Sequence, residues 1–264
     1  MSGRLAILAC GGQLPVMLAA AYPEAACVSL KGIPHLLGDR AEAHQIEKLG
    51  GLFKALKAQG VDRIVFAGHL ARPALNPAKM DAKTLTLVPR IMKAMQGGDD
   101  GVLRLVISIF EDQGFAVLGA HTLLPDLTVA DSLRVGTPTK ADMHDSARGF
   151  AILAALAPLD VGQGCVVAGG QVLGIETVQG TNALLHFVAD TRAGKTGGVF
   201  AKASKQGQDL RVDMPAIGPD TVTAVARAGL AGIVVEAGRV MILEREKTLQ
   251  AIEKAGLFLT ARGA

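Results

Sequence analysis

The sequence is poor in aromatic residues: it has no tryptophan and one tyrosine, and aromatics make up 3% of its 264 positions. Recognition of nucleic acids by base stacking depends on such side chains. The basic residues, which leave a net charge of +3, are spread along the chain instead of forming one cluster. We therefore expect no nucleic-acid partner.

Cysteines and long apolar runs are also scarce. Cys10, Cys27 and Cys165 lie far apart and form no C-x-x-C pair, so neither a disulfide framework nor a zinc site is indicated. The longest apolar stretch, 149–159, falls well below the ~20 residues of a membrane span. Near the start, the apolar run 5–10 is too short for a signal-peptide core. We expect a cytoplasmic protein with no transmembrane segment.

Apolar residues make up 50% of the chain, charged residues 19%, and there are 32 glycines, which is typical of a globular α/β protein. The first half alternates short β-like runs with helical ones, the pattern of a parallel sheet with crossover helices. It predicts strands at 5–10, 26–30, 63–67 and 115–119, and helices at 14–21, 45–59, 85–95 and 102–113.

The order of elements changes after a stretch rich in proline, glycine, threonine and aspartate. Beyond it we predict helices at 142–157, 219–228 and 246–255, and two hairpins: 165–168 with 172–176, and 233–236 with 240–244. The expected fold class is α/β, with an N-terminal Rossmann-like domain containing a mostly parallel sheet and a C-terminal mixed α+β domain. The boundaries are 1–125 for the first domain, 126–140 for a linker and 141–264 for the second domain. We expect a ligand cleft between the domains.

The first candidate site is the turn that follows the first predicted strand. Gly11, Gly12 and Gln13 lead into a helix in which Pro15 suits the first position. Free backbone amides at a helix N-terminus hold anions. The spacing lacks the G-x-G-x-x-G pattern of a dinucleotide fold, and a tight turn without a ligand explains these residues equally well.

Two further loops carry residues suited to phosphate or metal. His69 and Arg72 leave the end of the third predicted strand, the edge where open α/β sheets bind ligands, and an arginine grips phosphate with its planar fork. A surface loop is the alternative. Asp99 and Asp100 precede a helix, where they serve either as Mg²⁺ ligands or as helix caps.

The densest group of charges lies in the segment 199–221. Lys202, Lys205 and Arg211 can neutralise phosphate, and a carboxylate such as Asp213 can hold Mg²⁺ or orient an attacking water. A charged surface hairpin is the alternative. By contrast, the run 189–196 only outlines a P-loop, because a helical run precedes it and a strand follows it.

Several motifs in this order resemble the LpxI-type UDP-2,3-diacylglucosamine pyrophosphatases, and the resemblance spans both halves. They are the runs 10–15, 66–73, 98–100, 160–164, 180–181, 202–218 and 228–233. The resemblance implies Mg²⁺-dependent hydrolysis of UDP-2,3-diacylglucosamine to UMP and 2,3-diacylglucosamine 1-phosphate (lipid X), a cytoplasmic-face step of lipid A synthesis in Gram-negative bacteria. Peripheral contact with the inner membrane and a homodimer are compatible with it.

The family's essential aspartate matches Asp213. Our hypothesis adds Lys202 as a catalytic residue and Asp99 or Asp100 as a further Mg²⁺ ligand beside Asp213. We also expect Thr181 and Asn182 among the substrate-binding residues. The sequence departs from the family in one run, because Gln179 and Asn182 stand where Glu and Asp are usual. Elsewhere Ser204 and Gln206 replace prolines, and His69 stands where Asn is common.

Two rival functions remain open at this point. A non-catalytic binder of nucleotide sugars or lipids is motivated by the amides Gln179 and Asn182. A Rossmann-type oxidoreductase is suggested by the N-terminal alternation. The missing glycine fingerprint and the lack of an acidic residue after the second strand, which ends at Leu30 and Lys31, oppose the oxidoreductase.

Overall fold

A computed structural model describes residues 3–70, 75–96, 98–192, 194 and 196–263, and describes 98–100 by their backbone alone. It divides the chain into two compact units. The first unit is Met1–Leu124 together with Asp209–Asp213, and the second is Pro125–Gln208 together with Met214–Ala264. Residues 126–140, predicted as a linker, therefore fall in the second unit. The inclusion of Asp209–Asp213 in the first unit was not anticipated from the sequence.

The first unit is built on a five-stranded parallel sheet, which confirms the predicted Rossmann-like fold. Its strands are β1 (Arg4–Ala9), β2 (Ala26–Leu30), β3 (Glu42–His44), β4 (Val61–Ala67) and β5 (Ala116–Leu118). They are arranged in the order β3-β2-β1-β4-β5 and all pair in parallel. Its helices are α1 (Leu14–Ala21), α2 (Leu49–Ala58), α3 (Ala82–Met95), α4 (Gly98–Glu111) and α5 (Ala120–Leu123).

The apolar composition of the central strands explains this arrangement. Strand β2 is buried at every position and β1 at all but its first, as expected for parallel strands covered by helices on both faces. Four phenylalanines, Phe53, Phe66, Phe110 and Phe115, pack edge to face or tilted against one another in this core, with ring centroids 5.1–6.1 Å apart. Four of the nine aromatic residues of the chain thus lie in this core.

The second unit contains a mixed sheet in the order β6-β13-β11-β9-β7-β8 and a two-stranded pair, β10 with β12. The strands are β6 (Arg134–Val135), β7 (Gly164–Ala168), β8 (Gln171–Ile175), β9 (Val199–Lys202), β10 (Ala216–Ile217), β11 (Gly232–Glu236), β12 (Met241–Ile242) and β13 (Phe258–Arg262). The helices are α6 (Lys140–Leu156), α7 (Gly180–Thr191), α8 (Pro219–Arg227) and α9 (Arg245–Lys254). The predicted mixed α+β character is confirmed.

One predicted hairpin is confirmed and the other is wrong. Strands β7 and β8 pair antiparallel across Gly169 and Gly170, and the buried Asp145 accepts hydrogen bonds from both glycine amides at 2.9 and 2.7 Å. The predicted pairing of 233–236 with 240–244 does not occur. Strand β11 instead pairs in parallel with β9 and β13, and β12 pairs in parallel with β10. Both edges of β11 are taken by strands of four and five residues, which offer it more backbone hydrogen bonds than the two-residue β12 does.

The remaining predictions about the fold concern the P-loop-like run 189–196, the predicted linker and the absence of a transmembrane segment. Helix α7 precedes the run 189–196 and β9 follows it, which confirms the order that argued against a P-loop. Residues 126–140 contribute β6, which pairs antiparallel with β13. Within the described residues, no helix combines the length and apolar character needed to cross a bilayer.

Candidate active site

The order of strands in the first sheet reverses between β1 and β4, because β2 and β3 lie to one side and β5 to the other. Open α/β sheets bind ligands in the crevice at the carboxyl ends of the strands at such a switch point. The loops that leave these two strands carry predicted site residues, Gly11 after β1 and His69 after β4. The structure thus brings two motifs 58 positions apart in the sequence, counted from 11 to 69, to one edge.

These two loops are joined directly. The Gly11 amide donates to the His69 carbonyl at 3.1 Å, and the His69 amide donates to the Gly11 carbonyl at 3.0 Å. A Cβ on Gly11 would lie 2.5 Å from the His69 imidazole, and a Cβ on Gly68 would lie 2.1 Å from the Gly11 carbonyl oxygen. The backbones approach this closely only because both positions are glycine.

The rest of the first loop leads into a helix as predicted. Gly12 and Gln13 are exposed, and α1 begins at the next residue, with Pro15 in its first turn. The Gly11 amide donates to the His69 carbonyl, so it is not one of the amides that an anion at this helix start would bind. An anion site at Gly12 and Gln13 stays a prediction.

The segment Asp209–Asp213 packs on the same edge of the first unit. Val212 contacts the first unit's apolar core, and a Cβ on Gly119, directly after β5, would lie 3.3 Å from the Arg211 Cα. Asp213 is partly buried, and its amide donates to the Asp209 carbonyl at 3.2 Å. The tight turn thereby packs the segment that ends at Asp213 next to the carboxyl end of β5.

Arg211, predicted to bind substrate, is held by two carboxylates. Its Nε and Nη2 donate to Asp209 at 3.0 and 2.7 Å, and its Nη1 donates to Glu111 at 2.8 Å. The hydrogen bond from Arg211 holds the pKa of Asp209 below its usual value, and the pKa of Arg211 is raised in turn. Through these hydrogen bonds Arg211 connects the Asp209–Asp213 segment to Glu111 at the end of α4.

Sequence reasoning missed two residues close to the Asp209–Asp213 segment. Glu111 lies 100 positions from Arg211, and no local pattern indicates that pairing. His121, in the short helix α5 after β5, is partly buried, and burial lowers its pKa. Within the described residues its Nδ1 has no hydrogen-bond partner. A histidine three residues beyond the end of β5 was the available signal, because ligand-binding residues collect at the carboxyl ends of such strands.

In the second unit, Lys202 is buried at the end of β9 and contacts two side chains. Its Nζ lies 2.6 Å from Glu176 Oε2 and 2.7 Å from Thr181 Oγ1. The predicted residues Lys202 and Thr181 are therefore neighbours. Glu176, which sequence reasoning did not single out, joins them.

The other predicted residues of the second unit lie in more open surroundings. The Lys205 ammonium pairs with Asp160, and its amide donates to Gln208 at 2.9 Å. Asn182 is exposed on the first turn of α7, and Gln179 accepts a hydrogen bond from Thr177.

Three of the predicted site residues lie wholly or in part outside what the structure describes. Arg72 is among the residues not described, and so are the side chains of Asp99 and Asp100. Among the side chains that are described, no three of His, Cys, Asp and Glu converge as a protein-built metal site requires. Mg²⁺ in phosphate-handling sites is held by one or two carboxylates plus the substrate's phosphates, and Asp213 fits such a donor set.

The fold and this edge define a class: a two-unit α/β protein whose candidate site lies at the switch point of a doubly wound sheet. A family model for the LpxI N-terminal domain matches residues 4–127, and one for the LpxI C-terminal domain matches residues 131–260. A curated relative, UDP-2,3-diacylglucosamine pyrophosphatase LpxI of Caulobacter vibrioides, is 39% identical over 270 aligned positions, covering 97% of this chain and 96% of the relative. The chain belongs to the LpxI family, which confirms the resemblance and excludes the oxidoreductase alternative.

Proposed function

We propose that this chain hydrolyses the pyrophosphate of UDP-2,3-diacylglucosamine, yielding UMP and 2,3-diacylglucosamine 1-phosphate. Family membership across both units supports the substrate, because the relative's name states it. The observation that carries the chemistry is the position of Asp213. Its segment belongs to the first unit, and two residues before Asp213, Arg211 packs next to Gly119, which directly follows β5.

In this reaction, water attacks one phosphorus and the bond from that phosphorus to the bridging oxygen breaks. The two products take up the elements of water as a new P–O bond and two protons. Asp213 orients the attacking water, and the amides of Gly12 and Gln13 bind a phosphate oxygen. Lys202 and Lys205 offset negative charge, and Arg72 keeps its predicted role toward phosphate.

We propose Mg²⁺ as the cofactor, with Asp213 and either Asp99 or Asp100 as its protein ligands. When bound, the ion neutralises pyrophosphate charge and polarises the phosphorus under attack. Chelation with EDTA is expected to abolish UMP release, and added Mg²⁺ is expected to restore it. Full activity after exhaustive chelation would remove the metal from the mechanism.

The substrate's acyl chains support a place of action at the cytoplasmic face of the inner membrane. At ~0.8 kcal/mol per buried CH₂, two long chains hold the substrate in a bilayer. Peripheral contact of the protein with that membrane is part of the proposal. The ligand cleft and the homodimer stay predictions.

The assay for this function follows UMP release from UDP-2,3-diacylglucosamine with Mg²⁺. Asp213→Ala is expected to lower kcat by about 10³-fold or more, the scale for loss of a group that acts in the transition state. Asp220→Asn is the matched control, because Asp220 is exposed in the first turn of α8. If the wild type releases no UMP, the proposed function is refuted. If Asp213→Ala releases UMP as fast as the wild type, only the role of Asp213 in the mechanism is refuted.

A second candidate, a non-catalytic binder of nucleotide sugars or lipids, rests on Gln179 and Asn182. Both amides stand at the start of α7 where the family has carboxylates. If the chain is a binder that lost acidic groups, Gln179→Glu with Asn182→Asp creates UMP release that the wild type lacks. If it is an enzyme, the wild type already hydrolyses the substrate.

A further inference from the structure

His121 lies at the carboxyl edge of the first sheet, on a short helix that the rest of the first unit holds in place. Helix α5 follows Gly119, the residue directly after β5. The Tyr22 hydroxyl donates to the Leu123 carbonyl at the end of α5 at 2.8 Å, and Thr122 Oγ1 donates to the Gly119 carbonyl at its start at 2.7 Å. The backbone that carries His121 is therefore fixed at both ends.

A glycine makes room for the His121 ring. A Cβ on Gly119 would lie 2.5 Å from His121 Cε1, 2.8 Å from its Nδ1 and 3.3 Å from the Arg211 Cα. The edge of the ring formed by Nδ1 and Cε1 thus faces the Gly119 backbone, next to the Asp209–Asp213 segment. Nε2 lies beyond Cε1 and is the ring nitrogen farther from that backbone. The packing at Gly119 therefore sets the orientation of the ring.

The surroundings of the two ring nitrogens decide which of them carries the proton. Nδ1 is enclosed and has no hydrogen-bond partner in the part of the chain that the structure describes, whereas Nε2 is not among the enclosed, unpaired atoms. A buried N–H without an acceptor is unfavourable, and it is rarer in proteins than an unpaired acceptor. A neutral imidazole has one N–H, which we therefore assign to Nε2. Burial lowers the pKa of His121, which favours this neutral form.

A neutral N–H donor at this edge suits a phosphate oxygen of a ligand bound at the switch point. Only β4 separates β5 from β1, so the loops that follow β1 and β5 start about 10 Å apart, which is two strand spacings. A nucleotide sugar whose pyrophosphate lies between β1 and β4 is large enough to reach both loops. The amides predicted to bind an anion after β1 and the imidazole after β5 can then contact different phosphate oxygens of one substrate.

We propose that His121 is a further substrate-binding residue, whose Nε2–H donates a hydrogen bond to an oxygen of the substrate's pyrophosphate. The inference rests on the proposed hydrolysis, which supplies the pyrophosphate. All the residues that carry it belong to the first unit. A histidine that only filled the space beside Gly119 and Arg211 would need its shape and not its Nε2–H.

The kinetic test uses three substitutions that separate the N–H donor from the ring. Glutamine places an amide N–H near the position of Nε2, asparagine places one near Nδ1, and phenylalanine keeps a ring without any donor. His121→Asn and His121→Phe are expected to lower kcat/KM for UMP release about 10- to 100-fold, the scale of one hydrogen bond to a charged group. His121→Gln is expected to stay within about fivefold of wild type.

The matched control is His144→Gln, because His144 is exposed on α6 in the second unit. This variant is expected to release UMP as fast as the wild type. Wild-type kcat/KM in His121→Phe overturns the proposal, because that variant has no donor. Equal losses in His121→Gln and His121→Asn overturn it as well, since a role for the ring alone does not distinguish the two amides.

A second measurement uses the wild-type protein and does not depend on turnover. The nitrogen-15 and proton NMR signals of the imidazoles show which nitrogen carries the proton, and His121→Gln identifies the signals of His121. We expect a neutral ring with the proton on Nε2 near pH 7. Added inorganic pyrophosphate is expected to shift the Nε2 signal of His121 and to leave the signals of His144 unchanged.

The NMR outcomes distinguish failure of the inference from failure of the proposed function. A proton on Nδ1, or a His121 Nε2 signal that does not respond up to the highest pyrophosphate concentration, overturns the inference even if the chain releases UMP. If the wild type releases no UMP but the Nε2 signal of His121 shifts with pyrophosphate, the proposed function fails and His121 is still a pyrophosphate-binding residue.

Discussion

The contact between the loops after β1 and β4 predicts a sharp difference between two glycine substitutions. Gly68 has φ +92° and Gly12 has φ +94°, so alanine at either position adopts the same unfavourable backbone conformation. That strain is worth about 1–3 kcal/mol. The surroundings differ: a Cβ on Gly68 would lie 2.1 Å from the Gly11 carbonyl oxygen, whereas a Cβ on Gly12 meets nothing within 4 Å.

Gly12→Ala therefore reports backbone strain alone, and Gly68→Ala reports strain plus the overlap with Gly11. Relief of such overlap by backbone movement typically costs about 1–3 kcal/mol. Gly68→Ala is expected to lower the free energy of unfolding by that amount more than Gly12→Ala. Gly68→Ala also separates the His69 loop from the Gly11 loop, so we expect a larger loss of UMP release than in Gly12→Ala.

The chain provides its own probe for this measurement. It has one tyrosine and no tryptophan, and Tyr22 lies in the first unit, where its hydroxyl donates to the Leu123 carbonyl at 2.8 Å. Tyrosine fluorescence during urea unfolding thus follows the first unit. If Gly68→Ala and Gly12→Ala lower the free energy of unfolding equally, the claim that the close contact between Gly68 and Gly11 holds the two loops together is refuted.

Three further predictions concern other parts of the chain. Because the folded pKa of Asp209 is depressed, its pair with Arg211 stabilises above the ordinary aspartate pKa of ~3.9 and is lost as pH falls through the lower folded value. The free energies of unfolding of wild type and Asp209→Asn should therefore differ by about 1 kcal/mol at pH 7, and the difference should shrink as the pH is lowered. A difference that does not change with pH contradicts the role of the ion pair. Asp145→Ala, which removes the acceptor for the Gly169 and Gly170 amides, should cost about 2–3 kcal/mol in urea unfolding followed by circular dichroism. Asp145→Asn, which keeps one acceptor oxygen, should cost less, and equal losses count against the hydrogen bonds. Burial raises the pKa of Cys10 and Cys165 from 9.0 to about 11, so at pH 8 their thiols should react with a disulfide reagent about 100-fold more slowly folded than unfolded; rapid reaction in the folded protein shows that they are open to solvent.

Local elements were largely predictable from the sequence because they depend on short-range patterns. The strand at 26–30 and the helix at 14–21 have the predicted bounds. The hairpin at Gly169 and Gly170 was also recognisable, because two consecutive glycines with positive φ suit a two-residue turn. The pairing of 233–236 with 240–244 was wrong for the opposite reason. Two nearby β-like runs indicate strands, but their partners are chosen by competition with β9 and β13, which are distant in the sequence.

The sequence by itself determined the family, the fold class and the residue types that carry the chemistry, since motifs and hydrophobic periodicity are properties of the linear order. Tertiary structure decided which of these residues meet. It joins Gly11 to His69, encloses Lys202 with Glu176 and Thr181, and sets Arg211 between Asp209 and Glu111. Side-chain contacts across such separations arise from strand pairing and packing, which no local pattern encodes.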